Sequence, residues 1–101
     1  MTEVQSSGRK FLRGLAHGLR PVVQIGKEGL TDAVLAAIRD ALSNTELIKV
    51  RVVADKDEKR GVAQSIDLAA GTTCVGIVGH ILILYREHPD AGRRVIRIPQ
   101  S

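Results

Sequence analysis

Residues 22–38, VVQIGKEGLTDAVLAAI, join a short apolar run to a longer helical pattern across a turn bounded by glycines. Val22 to Ile25 reads as a short buried strand, and Gly26-Lys27-Glu28-Gly29 breaks it as a turn. Thr31 can then cap a helix, Asp32 suits the positive end of the helix dipole, and Val34, Leu35, Ile38, Ala41 and Leu42 repeat along one face. The helix is expected to stop around Asn44. A strand that turns into a capped helix is the opening of a β-α-β crossover.

Upstream, Phe11, Leu12, Leu15, Ala16 and Leu19 recur at helical spacing from Ser7 to Gly18, with Arg9, Lys10, Arg13, His17 and Arg20 opposite. This predicts a helix with an apolar and a basic stripe, capped by Ser6 or Ser7, closed by a left-handed Gly18 and stopped by Pro21. Downstream, Leu47 to Val53 alternates, with Ile48, Val50 and Val52 on one face and Lys49 and Arg51 on a wetter one. The charged run Asp55 to Arg60 reads as a solvated connection. Val62, Ala63, Ile66, Ala69 and Ala70 give a third helix ended by Gly71. Cys74 to Val78 and Ile81 to Tyr85 are apolar on both faces, as central strands are, with Gly79-His80 as a hairpin turn. Arg93 to Ile98 is expected to add a short edge strand that Pro99 ends.

The predicted class is therefore α/β, a single domain in the order α-β-α-β-α-β-β, with a mixed four-stranded sheet packed by helices. The domain spans 1–101, with its core at about 7–86 and a tail at 87–101. At 101 residues, 44% hydrophobic and 26% charged, the chain is of ordinary globular composition and can build one core. Its single cysteine, Cys74, excludes an internal disulfide and suits a reducing compartment. The N-terminal MTEVQSSGRK has no apolar stretch for export, and no apolar run is long enough to span a bilayer. A cytoplasmic monomer is expected, with neither membrane nor small-molecule partner.

The net charge of +4 is concentrated toward the two ends, which favours a polyanionic partner. The Gly26–Gly29 loop leads toward a helix N-terminus, so backbone N–H groups and the helix dipole could converge on a phosphate that bare glycines let approach. The same four residues also read as a tight turn needing positive φ. Glycine spacing and the missing Lys-Ser/Thr pair exclude a P-loop. Cys74, His80 and His88 lack zinc spacing, Asp55, Asp57 and Glu58 alternate with cations as in a solvated loop, and no nucleophile-base pair is present. No metal, cofactor or catalytic residue is expected, and no enzyme. Phe11 lies on the apolar stripe and Tyr85 in a strand, so no aromatic platform exists for stacking bases.

The runs GLAHGLRPVVQIGKEGLTDAVLAAI, ELIKVRV and VGIVGHILILYR, within about residues 14–86, resemble the CRM domain family in its stand-alone bacterial YhbY-like form. That resemblance implies an RNA-binding fold similar to the C-terminal domain of translation initiation factor three, associating with precursors of the large ribosomal subunit. Plant organellar relatives assist intron splicing. It also implies a GxxG loop at Gly26, Lys27, Glu28 and Gly29, beside a basic surface of Arg9, Lys10, Arg13, His17 and Arg20. Glu28 departs from what a phosphate-facing loop favours. Lys49 and Arg51 are expected to add a smaller share. The expected function is thus an accessory factor binding ribosomal RNA through phosphate and shape contacts. Two alternatives stand: a general nucleic-acid binder, and a module docking on a ribosomal or assembly protein.

Overall fold

In the computed structural model, which describes residues 6–99, the chain runs α1 (Ser6–Ala16), β1 (Pro21–Ile25), α2 (Asp32–Thr45), β2 (Leu47–Val52), α3 (Lys56–Ala70), β3 (Thr73–Val78) and β4 (Ile81–Tyr85), then a 3-10 turn at Ala91–Arg93. The N-terminal residues 1–5 of the stretch read as lacking an export signal, and residues 100–101 of the tail, lie outside the described residues. The strands form one mixed sheet in the order β1-β2-β4-β3. β1 and β2 are parallel, and β4 runs antiparallel to both of its neighbours. The expected α/β class and element order are present.

Strand alternation divides the core between the two faces of the sheet. On one face Ile25, Ile48, Val50, Val52, Leu82 and Leu84 meet α2 and α3 through Ile38, Leu42, Ala63 and Ile66. On the other, Leu47, Val75, Ile83 and Tyr85 meet Leu12 and Ala16 of α1, and Ile96 and Ile98 of the tail pack against them. Lys49 and Arg51 alternate with Val50 and Val52, so they emerge on the α1 side.

The helix ends follow from local chemistry. Thr31 Oγ1 accepts the Val34 N–H at 3.2 Å, as the spacing predicts. The run Asp55 to Arg60 is not a connection, because Asp55 accepts the Glu58 N–H at 2.8 Å and caps α3, whose first turn holds Asp57 and Glu58. Acids at a positive helix end are stabilising, which is why a charged stretch became helix. Gly71 (φ +70°) closes α3 as expected. Arg39 and Arg86 donate to its terminal carbonyls at Ala69 and Ala70, at 2.8 and 3.1 Å.

Other expectations change. α1 ends at Ala16, and Gly18 is not left-handed. β1 is only half buried, with Val22 58% exposed. β3 is an edge strand, apolar on both faces because α1 covers one and α3 the other. Residues 94–99 form no strand.

The tail is instead held by Glu46. α2 passes into β2 through this one residue in the left-handed region (φ +62°), where glycine is usual. Its side chain is 1% exposed. The carboxylate accepts the backbone N–H groups of His88 (2.7 Å), Val95 (2.6 Å) and Ile96 (2.9 Å). Those N–H groups cannot then enter a ladder, so the tail stays irregular. Burial alone pushes the Glu46 carboxyl up; the N–H donors from His88, Ile96 and Val95 outweigh it and hold it below the usual glutamate value.

Candidate nucleic-acid interface

The apolar stripe of α1 is narrower than its spacing suggests. Leu12 and Ala16 are fully buried, whereas Leu15 and Leu19 stay 44% and 41% exposed. Both line an open groove of about 520 Å³ between α1 and α2, with Val22, Ala41 and Ile96.

The basic residues separate into two sets. Arg9 Nη1 donates to the Cys74 carbonyl and Arg13 Nη1 to the Val75 carbonyl, each at 3.0 Å. The β3 register shifts between Cys74 and Gly76, and an edge strand leaves carbonyls without a ladder partner, which the two guanidinium groups satisfy. Gly76 makes room for this, since a Cβ there would lie 2.7 Å from Arg13 Cδ. Lys49 Nζ likewise donates to the Leu19 carbonyl at 3.1 Å. By contrast, among the described residues Lys10, His17, Arg20, Lys27 and Arg51 make no side-chain hydrogen bond or ion pair. All five are exposed, and their donors are available to an outside anion.

The Gly26–Gly29 loop is a tight turn in which the Gly29 N–H donates to the Gly26 carbonyl at 3.0 Å with Gly29 at φ +73°. That N–H is no longer available to a phosphate, unlike those of Lys27 and Glu28. Asp32 opens α2 and, with Glu28, lowers the potential at the helix end. The two glycines differ. Gly29 is required by its φ, whereas Gly26 has an ordinary φ and a Cβ there would meet nothing within 4 Å.

The remaining candidates are structural in their contacts. The His88 ring accepts the Asp90 N–H at 3.0 Å. Burial raises the Cys74 thiol, which packs toward the α2/α3 core. Tyr85 is 2% exposed, and burial, with Glu87 and Glu46 nearby, pushes its hydroxyl up to about 12. Among the described residues no group of three His, Cys, Asp or Glu could hold a metal, and no helix is long and apolar enough to cross a membrane. Sequence reasoning passed over Gly76, Gln24 and Glu46. Only Gln24 left a signal, as the one polar position in the β1 run.

The family model of the CRS1 / YhbY (CRM) domain matches residues 4–86. The chain belongs to this family. A Haemophilus influenzae relative, named RNA-binding protein, is 45% identical over 92 residues, covering 90% of this chain and 93% of that protein. A Bacillus subtilis relative, named probable RNA-binding protein YqeI, is 36% identical over 83 residues, covering 81% and 86%. The solution structure of SAV1595 from Staphylococcus aureus superposes on this CRM domain with a TM-score of 0.81 at 31% identity, covering 94% of this chain and all of that one.

Proposed function

We propose that this CRM domain binds structured RNA, with phosphate and shape contacts supplying most of the affinity, and that its target is ribosomal RNA in large-subunit precursors in the cytoplasm. One observation carries the reading. From Ser6 to Lys27 the chain holds five Lys and Arg and no Asp or Glu, and β2 adds Lys49 and Arg51 on the α1 side. A cationic face without carboxylates attracts a phosphate backbone and releases its counterions. The RNA-binding names of the two relatives point the same way. The reading assigns no catalytic step.

The test is a binding titration of structured RNA and of duplex DNA at matched length, repeated over a salt series. Lys10→Ala, Arg20→Ala, Lys27→Ala and Arg51→Ala should each flatten the log-log salt slope by roughly 0.7 to 0.9. None should alter unfolding, because these side chains make no internal bond. Equal affinity for duplex DNA would make the chain a general nucleic-acid binder. Binding that survives both high salt and loss of these cations would make it a protein-docking module.

A further inference from the structure

Beside α1, one strip of the sheet stays open. The strand registers pair Gln24 with Arg51, Arg51 with Ile81, and Ile81 with Val78, so these four side chains form a single row across β1, β2, β4 and β3. Alternation fixes their side. Ile25, Val52 and Leu82 point into the α2/α3 core, so Gln24, Arg51 and Ile81 point the opposite way. Gln24, Arg51 and Val78 are exposed, Val78 at 61%, and Ile81 is half-buried. At strand spacing the row is about 14 Å long. It lies one register step from Gly76, where the Arg13 stem crosses the sheet, and its Gln24 end runs through Ile25 into the Gly26–Gly29 loop.

The chemistry of the row is not that of a phosphate site alone. Exposed Val78 and half-buried Ile81 make a flat apolar seat, while an amide and a guanidinium on adjacent strands offer hydrogen bonds beside it. Among the described residues Gln24 and Arg51 have no internal partner. A guanidinium fork matches guanine O6 and N7, and a glutamine amide matches adenine N6 and N7; both are purine edges. The positive charge of Arg51, with no carboxylate in the row, suits a nucleotide that also brings a phosphate.

We propose that the Gln24-Arg51-Ile81-Val78 row seats one unpaired purine of the bound RNA, its face on Ile81 and Val78 and its edge toward Arg51 and Gln24. This rests on the RNA reading above and adds a base-level contact to it. Isolated or bulged bases can enter such a seat because their edges are free, which those of a continuous helix are not.

The experiment uses five hairpin RNAs that differ only in carrying a single unpaired A, G, U or C, or none, titrated against the full chain at one salt concentration. The purine-bulged hairpins should bind roughly tenfold more tightly than the others. Gln24→Ala removes no charge, and Arg51→Lys keeps the charge and loses the fork. Both should abolish the preference, and Gln24→Ala should do so while leaving affinity for the fully paired hairpin and its salt slope unchanged. Equal binding of all five hairpins by the native chain overturns the proposal and leaves the RNA reading standing, as does a preference that survives both substitutions. Failure to bind any of them removes both.

Discussion

Removing the Glu46 carboxylate should loosen the tail without dismantling the sheet. The side chain is buried and holds three backbone N–H groups at 2.6 to 2.9 Å. Each hydrogen bond to a charged group is worth about 1.5 to 3 kcal/mol. The freed N–H groups recover water as the tail loosens, so the net loss for Glu46→Ala is about 2 to 4 kcal/mol. Alanine keeps the cost of positive φ, which is roughly 1 to 2 kcal/mol for a side chain with a Cβ. Glu46→Gly loses the carboxylate but relieves that cost, so it should be about 1 kcal/mol more stable than Glu46→Ala. The folded-state pKa of Glu46 is depressed, so its contribution is present above the unfolded glutamate value. It is lost as pH falls below about 4 and the carboxyl protonates. The gap between native protein and Glu46→Ala should therefore be full at neutral pH and shrink on acidification. Urea unfolding at both pH values measures it, with amide exchange at Val95 and Ile96 reporting the tail. A gap independent of pH, or native-like amide protection in Glu46→Ala, would refute the clasp.

Three further outcomes are expected. Gly29→Ala should lower stability by about 1 kcal/mol because its φ is positive, whereas Gly26→Ala should leave unfolding unchanged and weaken RNA binding; unaltered affinity in Gly26→Ala, with no gain from Glu28→Lys at low salt, would make the loop a structural turn. Gly76→Ala should displace the Arg13 stem and cost about 1 kcal/mol through the Val75 bond, and the cost should vanish in an Arg13→Ala background, which a double-mutant cycle reads. The one tyrosine, Tyr85, should ionise near 12 rather than 10 in an ultraviolet titration, and its buried hydroxyl makes stability fall as pH rises from about 10 toward that value.

Much of the architecture is legible where a local signal and the tertiary requirement agree. Thr31 caps, Gly71 closes, and the alternation of β2 sorts Ile48, Val50 and Val52 from Lys49 and Arg51 because these depend on neighbours within a few residues. Misreadings arise where a distant partner decides. The carbonyls that Arg9 and Arg13 satisfy belong to a strand more than sixty residues away, so a basic stripe that looks uniform contains both bonded and available cations. The tail looks like a strand by its Val95, Ile96 and Ile98, but Glu46 takes its donors. The start of α3 differs: Asp55, Asp57 and Glu58 alternate with cations as a solvated loop does, but their placement makes them a cap and a favourable first turn. For the candidate interface, residue types were readable, while the row joining Gln24 to Val78 exists only in the register.

The separation between α1 and the strand beneath it also shapes how the chain comes together during translation. Arg9 and Arg13 meet their carbonyl partners across 65 and 62 residues. At ribosomal elongation rates α1 leaves the exit tunnel roughly 3 to 13 s before β3 does. An 11-residue helix is marginal alone in water, so over that interval the segment is a loose cationic tether rather than a docked helix. The β3-β4 hairpin and the β1-α2-β2 crossover use nearer contacts and can consolidate first. The cationic face is then completed late, when the nascent chain has delivered β3 and the tail isoleucines that close the pocket around Leu12 and Ala16.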